Sequence, residues 1–428
     1  MQSENNKIKT LDLFAGCGGL TEGFEMTGRF RTSACVEWER KSRNTLAHRL
    51  RSKWGYADAE ERVLQFDIQR TDELLQGWGL DPDYGFGQGL ERLVNNEGGV
   101  DLVVGGPPCQ AYSIAGRIRD EYGMQNDYRN YLFETYMRLV DRFQPKAFVF
   151  ENVPGMLSAQ PGGVSIIDRV RETFGTIGYT LVDDIKKYAI VDASDFGVPQ
   201  NRKRLILFGI RDELFDGDPQ TLLKEFYTKT LASRKVKSKI TVEEAIGDLP
   251  KLFPNKRNKD DSRASHSSAK ESTMNHAPRF HSERDIEVFR ELAADRSRKN
   301  KKYKNTEDLK KLYTKITGKT SSVHKYYVLD SAQQSNTIVS HLHKDGLRHI
   351  HPDPDQARSI TVREAARLQS FPDDFEFLGS MGDQYKMVGN AVPPVLAKIV
   401  AESVASFFDE NLVKQNDPET SWNLILKK

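Results

Sequence analysis

Between Ile8 and Ile210 the chain alternates between short apolar runs and stretches with a helical period. The runs are IKTLDLF, RTSACVEW, VLQFDI, VDLVVGG, PKAFVFENV and RLILFGI. LTEGFEMTG, KSRNTLAHRLRSKW, NYLFETYMRLVDRF and GVSIIDRVRETFGTIG lie among them. In NYLFETYMRLVDRF, residues Leu132, Phe133, Tyr136, Leu139, Val140 and Phe143 fall on one helical face. The apolar runs read as strands and the stretches between them as helices. This alternation restricts the chain to an α/β class built on a parallel, doubly wound sheet.

Beyond Ile210 the alternation fades. Residues 251–282 are polar and poor in aliphatic side chains, and strand-like KYYVLD and SNTIVSHLH come later. TVREAARLQSFPDDF then opens a helix, with Thr361 as N-cap and Glu364 three residues on, the pattern of a capping box. PPVLAKIVAESVASFF reads as a final helix whose prolines sit where a missing N–H costs nothing. Three parts are expected: 1–210, an irregular 211–335, and 336–428 returning to the first.

Charge separates these parts. The chain of 428 residues carries a formal +2, yet residues 211–330 alone carry about +8, so the remainder is mildly acidic. The peak is RSRKNKKYKN, Arg296 to Asn305, which reads either as a solvated loop or as a footprint for nucleic acid. No run approaches the roughly 18 apolar residues of a membrane helix, and MQSENNKIKT does not read as a signal peptide. Cys17, Cys35 and Cys109 lack CxxC spacing, which argues against a disulfide framework or a metal site. A cytoplasmic chain with reduced thiols and no membrane partner is expected.

Several polar groups fall where strands end. LDLFAGCGGLTEGF runs from a strand through Gly16, Gly18 and Gly19 into a helix, a pattern that serves a ligand or a simple turn equally well. Glu37 ends the second strand, where an acid suits a ribose diol, and Asp67 ends the third, where it can accept from an adenine amino group. The glycines do not follow GxGxxG and no phosphate-binding lysine accompanies them, which favours a nucleoside ligand without a pyrophosphate, such as S-adenosylmethionine. Cys109 follows a strand and the stiff Pro107–Pro108 pair, so its thiol is expected at the carboxyl edge of the sheet. Glu151 ends another strand at the same edge, as a general acid or as a capping carboxylate. Arg202 and Arg204, two apart in an extended segment, are expected to face one site.

Taken in order, DLFAGCGG, VEW, FDI, GGPPCQAYSIAG, FENVPGM, GVPQNRKR, REAARLQSFPD and GNAVPP closely resemble the DNA (cytosine-5)-methyltransferase family, in its bacterial restriction-modification form. The resemblance spans 11–210 and 359–400 and implies a Rossmann-like S-adenosylmethionine-dependent methyltransferase domain plus a smaller target recognition domain. It implies that Phe14, Gly16, Cys17, Gly19, Glu37, Trp38, Asp67, Ile68, Pro108 and Asn390 bind S-adenosylmethionine, with S-adenosylhomocysteine as product. Cys109 would be the nucleophile, Glu151 and Arg204 would hold the cytosine with Arg202 close by, and Gln110 and Ser113 would touch DNA. The substrate implied is double-stranded DNA, with a restriction endonuclease acting on the same site and the chain working as a monomer. An RNA-directed enzyme, or a catalytically silent nucleic-acid-binding relative, are the competing readings.

Overall fold

The computed structural model describes residues 6–108, 132–160, 163–255, 264–268 and 273–413. Twelve strands are found among them: β1 (Ile8–Leu13), β2 (Phe30–Glu37), β3 (Val63–Gln65), β4 (Trp78–Asp81), β5 (Gly85–Gly87), β6 (Leu102–Gly105), β7 (Ala147–Asn152), β8 (Tyr179–Leu181), β9 (Ile190–Asp192), β10 (Lys203–Arg211), β11 (Leu252–Pro254) and β12 (His266–Ser268). The central sheet runs β3-β2-β1-β6-β7-β10-β8, with β9 also paired to β10. From β3 to β7 every pairing is parallel, whereas β10 is antiparallel to β7, β8 and β9. The chain moves outward from β1 to β3, then restarts at β6 on the other side. That reversal leaves a crevice at the carboxyl ends of β1 and β6, the usual ligand position in such sheets.

Leu11, Leu13, Phe30, Val103, Phe148, Phe150, Leu207 and Phe208 are among the fully buried strand residues. The helix Leu132–Phe143 buries Leu132, Phe133, Tyr136, Leu139 and Val140, the face its spacing predicts, with Phe143 half-buried. The expected last helix is Pro394–Asn411, and it lies against the helix Gly19–Glu25. Gly23 permits that contact, since a Cβ there would collide with Ala397 and with the carbonyl of Pro394. The stretch Met381–Asn411 is long and apolar enough to cross a membrane, but 67% of its most apolar part is buried in the protein, so it serves as core.

The capping box forms as its spacing predicts: Glu364 N donates to Thr361 Oγ1 and Thr361 N donates to Glu364 Oε2. The helix it starts, Val362–Leu368, joins a second core with Ile338, Phe371, Phe375 and Tyr385. A third core gathers around the helix Glu283–Arg296, and Leu309, Leu312, Tyr313 and Ile316 of the helix Thr306–Thr317 pack on it.

Three features depart from the sequence expectation. Phe215 to Leu231, assigned to the irregular part, joins the core of the sheet, where Phe226 stacks on Phe208 with ring centroids 4.2 Å apart. KYYVLD and SNTIVSHLH form no strands; they contribute single bridges, Val328 to Ile350 and Gln200 to Ser335, and a 3-10 turn at Ser340–His343. Their backbone partners are scattered over separate loops, as in Tyr327 N to Leu347 O, Leu329 N to Ile350 O and Ser335 N to Pro199 O, so no ladder propagates. Between Asp67 and Asp101 the chain also adds the helices Thr71–Gln76 and Leu90–Asn96 around the β4–β5 hairpin.

Asp12 lies inside the sheet. Thr21 Oγ1 donates to its Oδ2 at 2.6 Å, while Oδ1 has no hydrogen-bond partner among the described residues. Burial pushes its carboxyl up from 3.8 to about 7, against the Thr21 hydrogen bonds. The folded protein therefore holds a proton that the unfolded chain releases. That contribution to stability is full below pH 3.8 and is lost as pH rises through about 7. Asp12→Asn is expected to flatten this dependence: its melting temperature relative to the parent should improve from pH 5 to pH 8. An unchanged difference across that range contradicts the assignment.

Candidate active site

At the end of β1 the chain turns sharply. Phe14 has φ 59°, Gly16 φ 58° and Gly18 φ 94°, the left-handed conformations that favour glycine at the latter two. Space beside Gly16 is open, with nothing within 4 Å of where a Cβ would stand. Gly19 meets the opposite situation, because a Cβ would collide with the carbonyl of Val392. The loop is thus pressed against the segment 387–392 on one side and open on the other. Cys17 belongs to the packed side: it is buried, with Sγ 3.8 Å from the carbonyl oxygen of Met387, and burial pushes its thiol up.

Glu37, at the end of β2, faces this loop. Gly16 N donates to Oε2 and Glu39 N to Oε1, each at 2.7 Å. Burial, opposed by those backbone bonds, raises the carboxyl to about 7. Beside it Trp38 is 53% exposed, an unusual state for so large an apolar ring. Ile68 is buried, and Asp67 is half-buried with Oδ1 accepting from Gln69 N at 3.0 Å. The β4–β5 hairpin, which the sequence reading did not find, lies against this corner. Tyr84 packs on Phe66 with centroids 5.0 Å apart, and Arg40 Nη2 donates to Asp83 O at 3.1 Å. Its segment is rich in Gly and Asp, so no strand period marked it.

On the other side of the crevice β6 runs into Gly106, Pro107 and Pro108. Gly105 pairs with Phe150, which sets Gly106 beside Glu151. A Cβ on Gly106 would come within 2.7 Å of Glu151 Oε2, so glycine makes room for this carboxylate. Asn152 Nδ2 donates to Pro107 O at 3.3 Å, and Pro108 is half-buried. Cys109, Gln110 and Ser113 lie outside the described residues.

Glu151 and Arg204 are brought together from β7 and β10. Arg204 Nε stands 2.7 Å from Glu151 Oε1, and both side chains are 12% exposed. Arg202 does not share their site as expected. Its guanidinium is 2% exposed and donates to the carbonyls of Ile338, Gly389 and Ala391. Residues 200–202 precede the regular strand, and there the backbone follows the loop 335–338 instead of an extended sheet partner. Asn390 itself is exposed, at the end of the helix Met381–Asn390. Lys386 of that helix is paired with Glu39, which ties it to the turn after β2.

The site therefore has two halves at one sheet edge: a buried carboxylate with an open glycine turn and an exposed indole, and a carboxylate–guanidinium pair beside the strand that leads toward Cys109. The first suits a nucleoside with a free diol; the second suits a flat ring with adjacent acceptor and donor edges.

Comparison with known proteins bears on the family and the fold. The model of the C-5 cytosine-specific DNA methylase family matches residues 8–406. The Type II methyltransferase M.Bpa9945I of Bacillus paralicheniformis is 35% identical over 92% of this chain and 98% of its own. M.DdeI of Desulfomicrobium norvegicum, also a Type II methyltransferase, is 30% identical over 98% and 94% respectively. Among solved structures, a protein described as a DNA modification methyltransferase encoded within an E. coli prophage superposes with a TM-score of 0.61 at 23% identity, covering 94% of this chain and all of that one. That likeness speaks to the fold.

Proposed function

The chain belongs to the C-5 cytosine-specific DNA methylases and is a transferase of the Type II restriction-modification kind, and from that premise we propose that it moves a methyl group from S-adenosylmethionine to carbon 5 of a cytosine turned out of a specific double-stranded DNA site. The observation that carries the reading is the pairing of Glu151 with Arg204 directly beside Gly106 and Pro107.

The residues at the first half fit S-adenosylmethionine. Glu37 offers a buried two-oxygen acceptor held by Gly16 N and Glu39 N, suited to both ribose hydroxyls. The space beside Gly16 accepts the chain of a nucleoside ligand, Trp38 and Ile68 frame the adenine, and Asp67 accepts from its amino group. Phe14, Gly19 and Pro108 bound the methionine end, Asn390 reaches in from the C-terminal side, and Cys17 contributes through its backbone because its side chain is spent on Met387. When bound, S-adenosylmethionine supplies a methyl group activated on a sulfonium.

The residues at the second half prepare the base. A cytosine within a duplex hides carbon 6, so it must leave the stack. Cys109, as a thiolate, adds to carbon 6 and turns a poorly nucleophilic carbon 5 into an enamine carbon. Glu151 shares a proton with nitrogen 3 as negative charge builds on the ring, and Arg204 stabilises the carbonyl at carbon 2. After methylation, a solvent molecule takes the carbon 5 proton, its electron pair restores the carbon 5–carbon 6 double bond, Cys109 leaves as a thiolate, and nitrogen 3 returns its proton to Glu151. Gln110 and Ser113, next along the chain, contact the strand around the extruded nucleotide.

Recognition falls to the part of 211–335 not taken into the sheet core, chiefly the helices Glu283–Arg296 and Thr306–Thr317. Arg298, Lys299, Lys304, Lys311 and Lys315 are exposed there. Such charges bind phosphates and give affinity without sequence information. A cognate endonuclease acting on the same unmodified site in the cytoplasm, and a single copy of this chain as the working unit, complete the reading.

Bisulfite sequencing of DNA from cells expressing the chain tests the function: cytosines within one sequence context should resist conversion, and uniform conversion contradicts the proposal. DNA affinity should fall linearly with salt on logarithmic axes. The double variant Lys311→Ala, Lys315→Ala should reduce that slope by about 1 to 2; an unchanged slope removes this surface from the DNA contact.

A further inference from the structure

Arg202 has a job that its expected place beside the base does not describe. Its guanidinium donates to Ile338 O at 2.7 Å, Gly389 O at 3.3 Å and Ala391 O at 3.1 Å. Gly389 and Ala391 flank Asn390, where the helix Met381–Asn390 ends. The last carbonyls of a helix lack intrahelical donors and carry the negative end of its dipole. Gly389 O is one of these carbonyls and Ala391 O lies just past the helix end, so a cation that bridges the two fixes the direction in which Asn390 leaves the helix.

Other elements hold the same loop. Gln369 Nε2 donates to Ala391 O at 2.5 Å, Gln200 Nε2 donates to Gln369 Oε1 at 2.6 Å, and Ile338 N donates to Gln200 Oε1 at 2.8 Å. Gln200, Arg202 and Gln369 are all 2% exposed or less. A Cβ on Gly389 would collide with Val339 and Ser340, so the loop is also close-packed from outside. Two residues after Arg202, Arg204 holds Glu151. One short segment, Gln200 to Arg204, therefore grips the Asn390 loop with one arginine and the base-side carboxylate with the next.

We propose that Arg202 is a positioning residue which, by holding the carbonyls on both sides of Asn390, sets the cofactor loop relative to the Glu151–Arg204 pair and so governs cofactor affinity. The inference rests on the S-adenosylmethionine reading of the Glu37 side. Arg202→Met, Arg202→Lys and Gln369→Met are compared by calorimetric titration with S-adenosylhomocysteine and by steady-state methylation of unmodified plasmid DNA. Arg202→Met should weaken S-adenosylhomocysteine about tenfold or more and raise KM for S-adenosylmethionine in parallel, with kcat at saturating cofactor within about threefold. Arg202→Lys should recover part of the loss, and Gln369→Met should weaken binding about threefold without touching Arg202. Unchanged affinity with a collapsed kcat overturns the proposal, since Arg202 then acts on the base. If Arg202→Met fails to fold, Arg202→Lys and Gln369→Met decide, and unchanged affinity in both overturns it. Glu37→Ala, run beside them, separates the two claims. Weakened binding there with unaffected Arg202 variants defeats only this inference; unaffected binding there defeats the cofactor reading with it.

Discussion

Replacing Cys109 with serine is expected to reduce methyl transfer by on the order of 10⁴-fold or more, while S-adenosylhomocysteine affinity stays within about twofold. The size of the effect follows from ionisation. A thiol with an ordinary pKa of about 8.5 is partly thiolate near neutral pH, whereas a serine hydroxyl is not ionised there. In the proposed mechanism, carbon 5 without addition at carbon 6 stays too weak a nucleophile to take the methyl group. A second measurement isolates the covalent step. DNA with 5-fluorocytosine at the target should trap the parent protein as a complex that survives denaturing electrophoresis, because fluorine cannot leave as a proton does. Cys109→Ser should give no such band. A serine variant with parental turnover, or a trapped complex formed without Cys109, removes the thiolate from the mechanism.

Glu37→Ala carries the second large effect. On the proposed ribose role, the variant loses two charge-assisted hydrogen bonds of about 1.5 to 3 kcal/mol each, so S-adenosylhomocysteine should bind about 10² to 10⁴ times more weakly. Binding of DNA without cofactor should stay unchanged, because Glu37 lies on the far side of the crevice from Glu151. The parent protein should show a matching pH dependence. Burial sets the Glu37 carboxyl at about 7, and only its ionised form accepts from both hydroxyls. Affinity should therefore rise as pH climbs through 7 and level off above it, with proton release on binding near neutrality. Equal affinity for parent and variant, or a flat pH profile, removes Glu37 from the ribose.

Much of this geometry is readable from the sequence because strand ends leave local marks. The run LVVG, Leu102–Gly105, is buried along its length and stops at a glycine, so the end of such a run marks the sheet edge. Glu37, Asp67 and Glu151 stand at or just beyond the carboxyl ends of such runs, and the capping box at Thr361 announces itself in four residues. Arg202 defeats the same logic. Its partners are backbone carbonyls at Ile338, Gly389 and Ala391, which any residue type supplies, so no sequence signal points to them. The irregular middle is opaque for another reason. His266, His276 and His281 are buried there, satisfied by Gln356 O, Thr361 Oγ1 and Ser359 respectively, so a polar stretch contributes core that hydrophobic periodicity cannot reveal. The Phe215–Leu231 segment follows the last regular strand and carries no strand–helix alternation to mark it, although its rings Phe215 and Phe226 pack on Phe407 of the helix Pro394–Asn411.

The contact between Cys17 and Met387 joins residues 370 apart, and Gly19 is fitted to Val392. The glycine turn therefore reaches its packed state only when residues 387–392 have folded back onto it, so this side of the crevice is closed by segments far apart in the chain. Loop closure over such a span is slow and comes late. Formation of that wall is tied to completion of the tertiary fold rather than to any local element.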